Sequence, residues 1–70
     1  MEYLLVRFPR SRRVLIDGEF NGRTNVLIEL EAGTYTVGLG PPANFTPESR
    51  RVVLKDTGKF EPKEVAFNDA

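Results

Sequence analysis

Apolar side chains recur at every second position along most of this 70-residue chain, and that spacing limits its fold more than any other feature. Successive residues of a strand point to opposite faces of a sheet, so a period of two marks a strand with one face turned to a core. Six such rows can be read: Leu4, Val6 and Phe8; Val14 and Ile16; Val26, Ile28 and Leu30; Tyr35, Val37 and Leu39; Val52 and Leu54; Val65 and Phe67. The only helical character lies in Thr46-Pro47-Glu48-Ser49-Arg50, where Thr can cap and Pro can take the first helical position, and no more than a single turn is expected there.

The separators between rows are turn chemistry. Asp17-Gly18 and Asn21-Gly22 are favoured hairpin dipeptides, with the Asp17 carboxylate expected to accept a local backbone hydrogen bond. Ala32-Gly33 forms a near-minimal loop, and Gly40-Pro41-Pro42 ends the fourth row because the Pro pair removes two backbone donors. The third and fourth rows are expected to pair antiparallel, with Leu30 near Tyr35 and Ile28 near Val37. Val14, Ile16, Val26, Ile28, Tyr35, Val37 and Val52 are the expected interior. Residues 1–70 read as one all-β domain, a small antiparallel β-sandwich-like unit of six or seven short strands. Its open sheet edges are expected near the chain ends, in the rows Leu4–Phe8 and Val65–Phe67, and the tail from Asn68 to Ala70 is expected to fray.

The segment Ile16-Asp17-Gly18, Gly22-Arg23-Thr24 and Gly33-Thr34-Tyr35-Thr36-Val37 resembles the PEGA domain, whose pattern is an apolar strand ending in Asp-Gly, a Gly-x-Thr, and a later Gly before an aromatic and Val. Asn44-Phe45 stands where that family has Gly-Tyr, Asn tolerating the left-handed backbone that Gly supplies, with the aromatic packing inward. Asn25 stands where the family often has Pro after Thr, and Glu31-Ala32 where Pro-Glu or Pro-Ala is common. The likeness covers residues 12–67. It implies a β-sandwich-like interaction or surface-associated module without catalytic residues.

Composition removes several chemistries. With no His and no Cys, the commonest zinc ligands, Ser-His nucleophiles and disulfides are all missing. Ten basic and ten acidic residues leave no net charge, which argues against holding nucleic acid or an anionic membrane by bulk charge. A core this small leaves little room for a cleft, so function is expected on the surface. No apolar run is long enough to span a bilayer. The start Met1-Glu2-Tyr3 lacks a basic n-region, so a chain that begins naturally at Met1 is expected in the cytoplasm.

What remains is a short set of candidate sites. Arg10, Arg12 and Arg13 precede the second row and Arg50 and Arg51 the fifth; if those strands are neighbours, five guanidinium groups converge, and Arg suits bidentate capture of phosphate or carboxylate. The plainer alternative is that these arginines guard strand edges, partly paired with Glu2, Glu48 and Asp56. Asp17 and Glu19 straddle a turn that already explains them, Glu29 and Glu31 lie on a solvent face, and Gly38-Leu39-Gly40 lacks the Lys-Ser/Thr and helix of a phosphate loop. Phe20, Phe45 and Phe60 fall outside the rows, in loops, where they either cap the core or recruit a partner; Phe20 is the candidate exposed apolar contact. The expectation is a non-enzymatic, cofactor-free interaction or structural module with an unidentified protein partner or weak self-association through strand edges. The alternative is a binder of an anionic ligand, nucleic acid or a polyanionic glycan, through Arg10, Arg12, Arg13, Arg50 and Arg51.

Overall fold

The apolar rows close on one another as two facing sheets. The computed structural model describes all residues from Met1 to Ala70. It contains no helix and nine strands: β1 (Glu2–Arg7), β2 (Arg13–Ile16), β3 (Glu19–Arg23), β4 (Ile28–Leu30), β5 (Gly33–Leu39), β6 (Phe45–Thr46), β7 (Arg50–Leu54), β8 (Lys63–Ala66) and β9 (Asn68–Asp69). A three-stranded sheet has the order β4-β1-β8 and a four-stranded sheet the order β3-β2-β5-β7, while β6 and β9 form a separate two-stranded ribbon. All pairings are antiparallel except β1 with β8, where Val6 lies opposite Val65 in a parallel ladder. Thirteen buried apolar residues form one cluster between the sheets: Leu4, Val6, Ile28, Leu30 and Val65 from the smaller, Val14, Ile16, Val37, Leu39, Val52 and Leu54 from the larger, with Phe8 and Phe67 at one end. The all-β class and the sandwich-like architecture follow from the period-two rows, and six of the nine strands are those rows.

Several local expectations are corrected. The third and fourth rows do not form a hairpin: β4 pairs with β1, with Leu4 opposite Ile28, while β5 pairs with β2 and β7. The Glu31-Ala32 link therefore arches from one sheet to the other, held by the Tyr35 hydroxyl donating to the Glu31 carbonyl at 2.7 Å. Alternation states which face of a strand is apolar and leaves its neighbour open, and here both edges of the long β5 are taken within its own sheet. Tyr35 is half-buried for the same reason, its hydroxyl reaching back to the arch.

Val26 is 58% exposed because the third row begins only at Ile28. Asn25, at φ 64°, turns the chain before it and breaks the alternation. Asn21-Gly22 is a bulge inside β3, where the ladder with β2 slips between Arg13 and Leu15, and Gly22 sits at φ 85°. Its fit depends on the missing Cβ, which would lie 2.8 Å from Ile28 Cγ1. The Asp17-Gly18 turn is as expected, with φ values of 51° and 85°. Asp17, however, bonds across the sheet: its N–H donates to the Thr36 carbonyl and its Oδ1 accepts the Thr36 N–H, each at 2.8 Å.

The remaining corrections concern the ends. Thr46 caps no helical turn, because it pairs with Asn68 in the β6–β9 ribbon. That ribbon also orders the tail, and the Ala70 N–H reaches the Asn44 carbonyl at 3.2 Å. The first row is no edge either: β1 is the middle strand of its sheet, so the edges are β4 and β8 in one sheet and β3 and β7 in the other.

Candidate interaction surface

The five arginines do not converge. β5 separates β2 from β7, which sets Arg13 and Arg50-Arg51 apart across the larger sheet. Arg10 and Arg12 lie instead at the end of the sandwich, each guanidinium 5.3 Å from the centre of the Phe8 ring. Arg12 is held there by its acceptors: its Nη1 donates to the Gly40 and Pro42 carbonyls at 3.2 and 2.9 Å and its Nη2 to Asn44 Oδ1 at 2.9 Å. It stitches the Gly40–Asn44 loop to the core, beside Phe45, whose ring meets Phe67 edge-on at 6.0 Å. Phe45 thus packs inward, as the family pattern implies. Asn44 needs no left-handed backbone to do its part, because its side chain serves Arg12 and its carbonyl serves Ala70.

Arg10 forms an ion pair with Asp69, and the only other ion pair joins Arg7 to Glu64 at 3.3 Å. Glu2, Glu48 and Asp56 therefore form no ion pair with the arginines. Glu2 accepts two bonds from Thr57, from the backbone N–H at 2.9 Å and the hydroxyl at 2.6 Å. The hydroxyl bond and then the backbone bond hold its carboxyl below the ordinary value.

Arg13, Arg51 and Phe20 share the outer face of the four-stranded sheet. Phe20 lies within β3 rather than in a loop, directly opposite Leu15, and is 62% exposed, with the Arg13 guanidinium 5.7 Å from its ring centre. Across β5, Arg51 stands opposite Thr36 and Val53 opposite Thr34. Val53 is 61% exposed. Sequence reading missed it, although the signal was present: with Val52 and Leu54 facing in, alternation turns Val53 out. Arg50, on the inner side of the same strand, reaches the Ala66 carbonyl of β8 at 3.5 Å. Phe60 neither caps nor packs; it is 98% exposed in the tight turn closed by Gly58 and Glu61.

The surface carries no pocket, and nowhere do three carboxylates gather. What the outer face can do is present apolar and guanidinium surface to another molecule.

Comparison with known families agrees with the turn and strand pattern just described: residues 8–62 match the PEGA domain family, a span that begins and ends a little before the 12–67 read from the motifs. No curated protein and no solved structure matches the chain. The match takes in β2 through β7, including the Asp17-Gly18 turn, the Gly22 bulge and the Gly33–Val37 strand, and the chain belongs to the PEGA domain family.

Proposed function

We propose that this domain is a non-enzymatic protein-interaction module that binds through the outer face of its four-stranded sheet. The observation that carries the reading is the exposure of Phe20 and Val53 on that one face, accompanied by Arg13 and Arg51. Aromatic and Arg side chains are the types that dominate binding energy at protein interfaces. Three of the carboxylates are engaged within the fold, Asp17 with Thr36, Glu2 with Thr57 and Asp69 with Arg10, which favours a structural role for them over acid-base chemistry. The anion-binding alternative loses support because Arg10 and Arg12 are engaged within the fold.

The test is affinity capture from the source cells with the wild-type domain and with a Phe20→Ser, Val53→Ser double variant, both verified as folded by circular dichroism. A protein retained by the wild type and lost by the variant is the expected result. Equal retention by both, or none by either, would overturn the reading.

A further inference from the structure

The four sheet edges are not equivalent. β3 is interrupted by its bulge, and β4 has only three residues. β8 has four, follows Pro62, and has its Ala66 carbonyl engaged by Arg50. These are the ordinary means by which edges are blunted against further pairing. β7 differs: its five residues keep an unbroken register with β5, from Gly33 opposite Leu54 to Val37 opposite Arg50, with no bulge and no Pro.

The polarity of that edge follows from β5. The Thr36 backbone bonds toward β2, through Asp17, and the Gly40 N–H bonds the same way, to the Arg13 carbonyl at 2.9 Å. Main-chain groups alternate in direction along a strand, so Gly33, Tyr35 and Val37 bond toward β7, and their partners Leu54, Val52 and Arg50 bond back. Arg51 and Val53 therefore aim their N–H and C=O groups away from the sheet. No side chain and no loop bonds to them.

The charge on this edge selects what can add to it. Arg51 has no carboxylate partner, Arg50 donates only to a carbonyl, and Lys55 follows directly. A second copy fits poorly. The register that satisfies the open groups sets Arg51 opposite Val53 of the other copy and brings the two Arg51 side chains to diagonal positions about 7–8 Å apart. Both copies would add Arg50 and Lys55 to a ladder that holds no acid. We propose that the outer edge of β7 receives an extended acidic strand from a partner protein, added antiparallel, with a carboxylate opposite Arg51 and an apolar residue opposite Val53. The proposal rests on the interaction-module reading and names its partner class. The added strand continues the outer face, so Val53 gains an apolar neighbour while the carboxylate pairs with a guanidinium in bidentate geometry. The same charges that disfavour self-pairing favour this partner.

The test uses the full chain and the synthetic peptide acetyl-Asp-Thr-Val-Thr-Glu-Glu-amide, followed by nuclear magnetic resonance. The expected result is saturable binding in which the Arg51 and Val53 amides become protected from hydrogen exchange. Affinity should fall by about tenfold or more when the peptide's Val and first Glu are N-methylated, which removes the bonding donors and keeps the charge. A similar loss is expected when its three acids are replaced by Lys, and with the Arg51→Glu domain. Val53→Pro, whose lost N–H points away from the sheet, should fold and fail to bind; Arg51→Glu decides the matter if it does not fold. Equal binding of the N-methylated or the Lys peptide, or no binding at millimolar concentration, would overturn the proposal. So would a concentration-dependent dimer that protects the same amides without peptide. Capture that depends on Phe20 and Val53 together with failure of the peptide would sink the strand-addition proposal alone, whereas equal capture by wild type and variant, or none by either, sinks the broader reading.

Discussion

Thr24 is the buried polar side chain of this interior, and its hydroxyl extends the β2–β3 pairing beyond the ladder, tying the residue after β3 to the segment before β2. Its Oγ1 accepts the Arg12 N–H at 2.9 Å and donates to the Arg10 carbonyl at 2.7 Å, and the Thr24 N–H itself reaches the Arg12 carbonyl. Next to it, Asn25 uses its side chain as a strand would use its backbone, donating to the Phe8 carbonyl at 2.8 Å and accepting the Phe8 N–H at 3.3 Å. Proline, common at this point in the family, cannot take the φ of 64° that makes this possible. Thr24→Val keeps the shape and strands a donor and an acceptor, so chemical denaturation should show a loss of about 1–3 kcal/mol. An unchanged midpoint would mean that water replaces both bonds. A second prediction concerns pH. The Glu2 carboxyl is held below its ordinary value by Thr57, so its stabilising effect is complete above the unfolded-state value and is lost as pH falls through the lower folded value. The Glu2 carboxyl resonance and the Thr57 amide should titrate together with that depressed midpoint; an ordinary midpoint in the wild type, or a depression undiminished in Thr57→Val, which removes the hydroxyl bond and keeps the backbone one, would contradict the assignment.

At the scale of elements, the glycine bulge in β3 does what a tight turn was expected to do, bending the chain while keeping it in the sheet. Gly22→Ala meets both an unfavourable φ and the Ile28 side chain, whereas Gly18→Ala meets the backbone strain alone, since nothing lies within 4 Å of its would-be Cβ. Gly22→Ala should therefore be the more destabilising, by about 1–3 kcal/mol, in parallel denaturation curves. Equal losses would show that Ile28 yields without cost. This contrast also explains what was legible in the sequence. Period-two rows and turn dipeptides mark inward faces, so Val14, Ile16, Ile28, Val37 and Val52 are buried as read. They carry no information on which strand lies alongside, so the β4–β5 arch and the central place of β1 stayed hidden. β3 was missed because Phe20, Asn21 and Gly22 show no alternation, and β6 and β9 because two-residue pairings leave no period at all. The arginine set was visible as a composition of residues, but its dispersal depends on sheet order.

For the molecule as a whole, the equal numbers of acids and bases and the dispersal of the arginines bear on the anion-binding alternative. A heparin-type polyanion titrated at low and at physiological salt should bind weakly and be released as salt rises, because few phosphate- or sulfate-type contacts can form at once. Micromolar binding that persists at physiological salt and disappears in Arg13→Glu, Arg51→Glu would favour the alternative over the protein-interaction reading.

The parallel ladder between β1 and β8 gives the domain a mechanical character as well. Because the two strands run the same way, the first residue enters at one end of the sandwich and the last leaves at the other. Tension between Met1 and Ala70 slides the strands along each other and loads their hydrogen bonds side by side. Tension between Met1 and Glu31 instead peels β1 from its antiparallel neighbour β4 bond by bond, since Glu2 lies opposite Leu30. Single-molecule pulling should therefore need the larger force through the chain ends, and equal forces would place the resistance outside this ladder. A fold stitched in this direction transmits a pull along its length and gives way to one applied across its corner.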